Sequence, residues 1–282
     1  MQAVLKTGKR LIAAAVRRVF PVLHRKWATR RRFDKIAERT SAVFIPFMNY
    51  GYVPLDDAEK ESLSRLPPQK EISDQQSMQL YYHVAGQVSL EGREVLDVGC
   101  GRGGGSYFIK QYLKARTVIG ADISGVNIER CQLAFVAEGL SFRQADAEEL
   151  AFKDGSFDAV VNVESSHNYP RIDNFFREVR RVLRSGGFFL YADLRSPEAM
   201  EQVKQKMKAH GLEITQSQDI TANVVESLRL RSQSREALLG SHAKDEREYR
   251  EFSERVRLVG SKAFRRFETR EEVYMSFVAQ RR

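Results

Sequence analysis

The sequence predicts an α/β domain with a parallel sheet covered by helices on both faces, and three observations carry that expectation. From about residue 77, short apolar runs of strand length alternate with longer amphipathic stretches. Residues 157–163, FDAVVNV, read as a buried strand. After the first strand comes VLDVGCGRGGGS, residues 95–106, a glycine loop placed where such sheets bind ligands.

The chain begins with charge. Residues 1–32 hold ten Lys and Arg and no acid, leaving 36 basic and 37 acidic residues in the remainder. The net charge of +9 therefore belongs to an N-terminal arm, and the near-neutral body argues against a nucleic-acid partner. Leu11, Ile12, Ala15, Val16, Val19, Phe20 and Leu23 recur at helical spacing among the cations, so the arm reads as a basic amphipathic helix. Two seats suit it: an anionic membrane surface, or the apolar surface of the domain itself. Its apolar run, residues 11–16, is short for a secretory signal, and no stretch reaches the ~18 apolar residues of a membrane span. Cys100 and Cys131 offer neither a disulfide framework nor zinc spacing. Both are expected to pack rather than react, in a reducing, cytoplasmic setting that becomes peripheral if the arm touches lipid.

Residues 33–76 read as a cap segment that ends in a linker, marked by Pro67-Pro68 and the polar run 69–76. The domain proper spans 77–282. A helix through Tyr81 and Val88 leads to strand 94–98; helix 106–113 and strand 117–121 follow the glycine loop. Next come helix 125–138, strand 140–144, strand 157–163, helix 172–183 and strand 187–192. Residues 212–215 and 273–279 can close the sheet as late strands. The helical material at about 221–260 has no partner in this alternation and is expected to be a lid or a dimer surface.

The glycine loop admits two cofactor classes. Gly99, Gly101 and Gly104 satisfy G-x-G-x-x-G, which alone is also a dinucleotide signal. Asp122 ends the next strand, 19 residues after Gly103, where an acid accepts both hydroxyls of a ribose. Asp97, two residues before the first glycine, suits an ammonium group and opposes a pyrophosphate. Asp146, after the third strand, is placed to accept from an adenine amino group. The turn 182–187, VLRSGG, leads into the fifth strand. Asp122 and Asp146 each keep a plainer role open, as caps of the turns that follow them.

In order and spacing, VLDVGCGRGGGS, IGADIS, RQADAEELAFKDGSFDAVVNVESSH and VLRSGGFFLYADL resemble the class I S-adenosylmethionine-dependent methyltransferases. The resemblance covers residues 77–195. It implies a Rossmann-like seven-stranded sheet with one antiparallel strand and the cofactor across the carboxyl ends of the first strands. It further implies that Asp97, Gly99 and Gly101 hold the methionine part, Asp122 the ribose, and Ile123, Asp146 and Ala147 the adenine, with Asn162 also in the cofactor set. Segments FMNYGY, LY at 80–81 and NVESSHNYP followed by YADLR resemble bacterial O-methyltransferases of polyketide and complex-lipid assembly, among them the phthiotriol and phenolphthiotriol dimycocerosate enzymes of mycobacteria. That closer likeness implies an aromatic segment folded over the cofactor, with Tyr50, Tyr52 and Tyr81 lining the site or simply in the core.

Methyl transfer to oxygen needs in-line alignment and, for a hydroxyl, a base. His167 follows the fourth strand and Asp193 the fifth, so adjacent strands bring the two to one edge as imidazole base and orienting carboxylate. No metal-ligand cluster accompanies them, and a metal-independent enzyme is expected. The acceptor is left as a small molecule, a polyketide or a lipid. Three alternatives stay open: a C- or N-methyltransferase of a sterol-, quinone- or tocopherol-like acceptor, an NAD-dependent oxidoreductase, and a non-catalytic scaffold.

Overall fold

The computed structural model describes residues 20–39, 46–64, 74–242 and 245–282. The arm before residue 20 and the linker at Pro67-Pro68 lie outside the described residues. Among the described residues, three helices come first: α1 (Pro21–Arg39), α2 (Asp57–Ser64) and α3 (Gln75–Ala85). Helix α1 runs straight through residue 32, so the expected arm and cap segment are one helix at that point. The alternation then starts with β1 (Glu94–Val98), α4 (Gly104–Tyr112), β2 (Thr117–Asp122), α5 (Gly125–Ala134), β3 (Leu140–Gln144) and β4 (Phe157–Val163). It continues with α6 (Ile172–Val182), β5 (Leu183–Arg195), α7 (Pro197–Ala209) and β6 (Leu212–Asp219). The tail folds as α8 (Thr221–His242), α9 (Glu246–Arg255), α10 (Lys262–Glu268) and β7 (Val273–Arg281).

Local chemistry starts these helices. Asp74, Ser124, Ser196, Asp245 and Ser261 each accept a first-turn N–H, and Pro197 sits where a missing N–H costs nothing. Helix α6 buries Phe175, Phe176, Val179 and Val182 on one face and ends in Arg180 and Arg181, which suit the negative end of its dipole.

The seven strands form one sheet in the order β3-β2-β1-β4-β5-β7-β6. Pairings from β3 through β5 are parallel, and β7 alone runs against its neighbours β5 and β6. Side chains alternate across the sheet. Val95, Ala159, Val161, Leu190 and Ala192 face α3, α4 and α10, whereas Leu96, Val160, Phe189 and Tyr191 face α6 and α7. After β1 the chain builds outward to β3 and then returns to β4 on the other side of β1. That reversal opens a crevice at the carboxyl ends of β1 and β4.

Two expectations shift in detail. Residues 182–187 do not form a simple turn: β5 already begins at Leu183, paired with Phe157, and the register jumps to Phe188 opposite Ala159. Gly186, at φ +74°, takes up the extra length. The tail helices pack inward, with Val224, Leu228, Phe264 and Phe267 in the core beside α3. They also clasp the cap segment, since Ser227 Oγ donates to the Tyr50 carbonyl (2.9 Å) and Arg231 pairs with Asp74 (2.5 Å).

Candidate active site

The floor of the crevice is the loop after β1. Gly99 N and Cys100 N donate to the Ala121 carbonyl at 2.7 and 3.1 Å, which folds the loop over the end of β2. Gly99 has φ +76°, and a Cβ there would lie 2.0 Å from Ser165 Oγ; a Cβ on Gly105 would lie 1.9 Å from the Tyr81 ring. Backbone conformation and space both exclude a side chain at Gly99. Gly99→Ala should cost roughly 2–4 kcal/mol of stability and abolish binding of S-adenosylhomocysteine, read by thermal melts and calorimetry. A variant with wild-type melting and binding would contradict the tight approach. Cys100 and Cys131 are buried and free, with Cys131 Sγ 3.4 Å from the Gly101 carbonyl.

Above this floor lies a cleft whose empty volume, open solvent at its mouth included, is about 930 Å³. Gly99, Gly101, Asp122, Ile123, Asp146, Ala147 and Tyr81 all line it. Asp122 Oδ2 accepts from Gly101 N (3.0 Å) and Oδ1 from Ser124 N (2.8 Å). Burial nevertheless pushes its carboxyl up to about 6. Asp97 is fully buried beside the cleft; Ser106 Oγ donates to its Oδ2 at 2.7 Å, while Oδ1 has no partner. Burial, reinforced by nearby Asp122, raises Asp97 to about 7. An orphaned buried carboxylate oxygen fits a cationic ligand group, and an ammonium would supply the missing donors.

The roof comes from α1, which lies on the domain here through its polar residues. Lys26 reaches Asp146 Oδ2 at 2.5 Å and Glu148 Oε2 at 2.7 Å, and Thr29 and Phe33 line the same cleft. Asp34 accepts from Ser124 Oγ (2.5 Å), and Arg130 donates to the Ala37 carbonyl, so α1 is tied down on α5. Asp146 Oδ1 accepts from Glu148 N (2.9 Å), the turn-capping contact that had been left open for it.

At the carboxyl ends of β4 and β5 the expected pair comes together. His167 Nδ1 lies 2.6 Å from Asp193 Oδ1, and His167 N donates to Oδ2 at 2.8 Å. Only a donor faces a carboxylate this closely, so the proton sits on Nδ1 and Nε2 is left as the basic position. Asp193 is fully buried and also accepts from Ser166 Oγ (2.6 Å) and Leu194 N (2.9 Å). Its burial would favour the neutral acid, but the His167 and Arg195 charges prevail and hold it below the usual carboxylate range. For His167, whose side chain is 34% exposed, desolvation opposes the charged form; Asp193 and then Glu164 outweigh it, and its pKa rises. His167 lines a second cavity with His24, Arg25 and Ala28, and this cavity shares Thr29, Asn168, Tyr169 and Pro170 with the cleft.

Glu164 emerges as a functional candidate beside the His167–Asp193 pair. It lines the cleft at φ +50° and accepts from Tyr50 N (2.7 Å) and Tyr274 OH (2.9 Å), while desolvation pushes its carboxyl up to about 7. A perturbed acid held in a strained conformation in a cleft marks a functional position. Four of the expected cofactor-site candidates do not line the cleft: Asp97, buried beside it, and Tyr50, Tyr52 and Asn162. Tyr50 contributes its backbone N–H to Glu164, while its ring packs under Arg257 and against Phe267. Tyr52 stacks on His83 and donates to Glu59. Asn162 is buried beneath the cleft, donating to the Val98 carbonyl (2.7 Å) and Tyr169 OH (3.2 Å), and so ties β4 to the loop end of β1. Tyr169, which also bonds Ser165 Oγ (2.7 Å), stands on the wall instead. Among the described residues, no group of three or more His, Cys, Asp or Glu is arranged to hold a metal ion.

Comparison with known proteins converges on this geometry. The family model described as "Methyltransferase domain" matches residues 96–191. The chain is 37% identical over 210 residues to a fatty-acid O-methyltransferase of Mycolicibacterium smegmatis, covering 72% of this chain and 69% of that protein. It is 33% identical over 227 residues to a probable phthiotriol/phenolphthiotriol dimycocerosates methyltransferase of Mycobacterium ulcerans, covering 80% and 84%. Among solved structures, the [4+2]-cyclase SpnF matches with TM-score 0.69 at 20% identity over 90% of this chain and 94% of its own. A geranyl diphosphate C-methyltransferase from Streptomyces coelicolor, in complex with S-adenosyl-L-homocysteine, matches with TM-score 0.64 at 16% identity over 92% and 98%. Those two likenesses carry the fold alone, and the curated relatives carry the family. With the glycine loop, the three strand-end acids and the sheet order in place, the chain belongs to the class I S-adenosylmethionine-dependent methyltransferases.

Proposed function

We propose that this enzyme methylates an oxygen of a lipid-like acceptor, with His167 as the base and Asp193 as its orienting partner. The observation that carries the reading is the 2.6 Å contact between His167 Nδ1 and the buried Asp193 carboxylate, beside a cavity that shares Thr29, Asn168, Tyr169 and Pro170 with the cofactor cleft. Bound S-adenosylmethionine supplies an electrophilic methyl group on a sulfonium, whose departure as a thioether needs no acid. Asp97 would take the ammonium of its methionine part, and the side-chain-free loop at Gly99 and Gly101 lets that part approach. Asp122 would accept the ribose hydroxyls, Ile123 and Ala147 would flank the adenine, and Asp146 would accept from its amino group. Lys26, now on Asp146, would then share that carboxylate or stay with Glu148. Asp193 keeps His167 in the tautomer that bares Nε2, ready to take a hydroxyl proton as oxygen attacks. The names of the relatives, a fatty-acid O-methyltransferase and dimycocerosate enzymes, support a long-chain acceptor. Transfer of a labelled methyl group to hydroxylated lipids or fatty acids tests this. A protein that binds S-adenosylhomocysteine yet labels no lipid would overturn it.

One observation favours a second reading, C-methylation. Glu164, with its carboxyl at about 7, shares the cleft with Phe33, Phe47, Tyr81 and Tyr169, the carboxylate-and-aromatic setting that steadies a developing cation. Under it, Glu164→Gln should suppress a carbon-methylated product at least tenfold, seen by mass spectrometry with fragment assignment. If the products carry only O-methyl groups, this alternative fails.

A further inference from the structure

Helix α1 has two faces, and only the inner one serves the cleft. Opposite Lys26, Thr29 and Phe33, the residues Phe20, Leu23 and Trp27 recur at i, i+3 and i+7 and stand 55%, 60% and 54% exposed. Exposed Arg30 and Arg31 flank this row, with the Arg31 guanidinium 5.0 Å over the Trp27 ring, and exposed Lys35 follows one turn on. Over its length the helix carries seven Lys and Arg against two acids, and one of those, Asp34, is engaged by Ser124 and Arg30. Large apolar groups left in water beside cations mark an interaction surface. A tryptophan, a leucine and a phenylalanine ringed by arginines match the boundary between anionic headgroups and acyl chains. Because the inner face is pinned by Lys26–Asp146 and Asp34–Ser124, the outer face can be offered to a partner without unfolding the helix.

We propose that this face docks the enzyme on an anionic lipid bilayer, with Phe20, Leu23 and Trp27 entering the headgroup boundary and Arg30, Arg31 and Lys35 meeting lipid phosphates. His24 and Arg25 of the same helix line the cavity at His167, so docking sets that cavity near the bilayer from which a lipid acceptor would come. This last orientation rests on the proposed lipid acceptor; the docking itself does not.

Trp27 is the only tryptophan in the chain, so emission of the full-length protein excited at the red edge, where its ten tyrosines do not absorb, reports on this face alone. Vesicles of phosphatidylcholine with about one-third phosphatidylglycerol should shift its emission to the blue, shield it from acrylamide and co-sediment the protein. Pure phosphatidylcholine vesicles should bind about tenfold more weakly, and about 0.5 M salt should release the protein. The pairs Arg30→Glu/Arg31→Glu and Leu23→Ser/Trp27→Ser should each lower co-sedimentation about tenfold, while S-adenosylhomocysteine affinity stays at the wild-type value. Absence of binding to anionic vesicles would overturn the proposal, as would binding that both pairs leave intact. So would a blue shift that grows with protein concentration without lipid, since a second copy would then cover the face. Vesicle binding without methyl transfer to any lipid would sink the proposed acceptor class and leave the docking standing; methyl transfer without vesicle binding would do the reverse.

Discussion

Replacing His167 with Ala should cut turnover on a hydroxyl acceptor by about a thousandfold and leave turnover on a fatty carboxylate within a few-fold of wild type. A positioned general base contributes about 10²–10⁴ when the nucleophile must lose a proton. A carboxylic acid is already ionised at neutral pH and needs only alignment. The variant therefore separates the two acceptor chemistries that the relatives' names bring together, while S-adenosylhomocysteine affinity should not change. The pH profile gives a second readout. His167 acts as a base only when neutral, and the Asp193 and Glu164 charges raise its pKa above 6.5 despite desolvation. Turnover on the hydroxyl acceptor should therefore rise with pH through a value above 6.5 and level off, and the rise should vanish in His167→Ala. Glu164 also titrates near 7, so a rise must persist in Glu164→Gln, moved to lower pH by the loss of the Glu164 charge, for the assignment to His167 to stand. Equal losses on both acceptors would make His167 a structural residue and not the base.

The α/β body was legible because its signals are local. Buried strands such as FDAVVNV, capping serines at Ser124 and Ser196, and the amphipathic run of α6 each need only neighbours in the chain. Boundaries moved where tertiary pairing decides them. β6 extends to Asp219 because β7 pairs with it along most of that length, although polar residues such as Gln216, Ser217 and Gln218 give no strand pattern of their own. Helix α7, flanked by two strands, is announced locally only by Ser196-Pro197 at its start. Its Met200, Val203 and Met207 fill the face beside α6, a place fixed by the sheet and not by their spacing.

The site divides in the same way. Acids at strand ends were found because a strand end is a local feature, and the parallel sheet brings such ends to one edge. Partners across long stretches of sequence were not. Lys26 reaches Asp146 over 120 positions, and Tyr50 N reaches Glu164 over 114, with no motif linking either pair. For Tyr50 and Tyr52 the resemblance leaves lining the site and packing in the core both open, because a ring's direction depends on what covers it. Here Arg257 and Phe267 take the Tyr50 ring and His83 takes that of Tyr52. Glu164 had one sequence signal, its position directly after β4, which points it to the cofactor or to the sheet without deciding between them.

Asp97→Asn should weaken S-adenosylhomocysteine by about a hundredfold with little loss of melting temperature. A charge-assisted bond to a buried carboxylate contributes roughly 1.5–3 kcal/mol, and the neutral amide keeps the shape and the Ser106 contact. The pH dependence is more diagnostic than the loss. In the free enzyme, burial and the nearby Asp122 charge hold Asp97 at about 7, so it is largely protonated below that pH. The ammonium of the ligand needs the ionised form, and binding must therefore expel a proton at and below neutrality. Affinity should be flat above pH 7 and fall by up to about tenfold per unit below it. Calorimetry in buffers of different ionisation enthalpy should detect up to one proton released near pH 6 in the wild type. Asp122 is raised only to about 6, so its own share of the release lies from about pH 6 downward, below the range set by Asp97. In Asp97→Asn both the slope and the proton release between pH 6 and 7 should disappear. If they persist, the proton belongs to another group and the orphaned oxygen of Asp97 does not hold the ammonium.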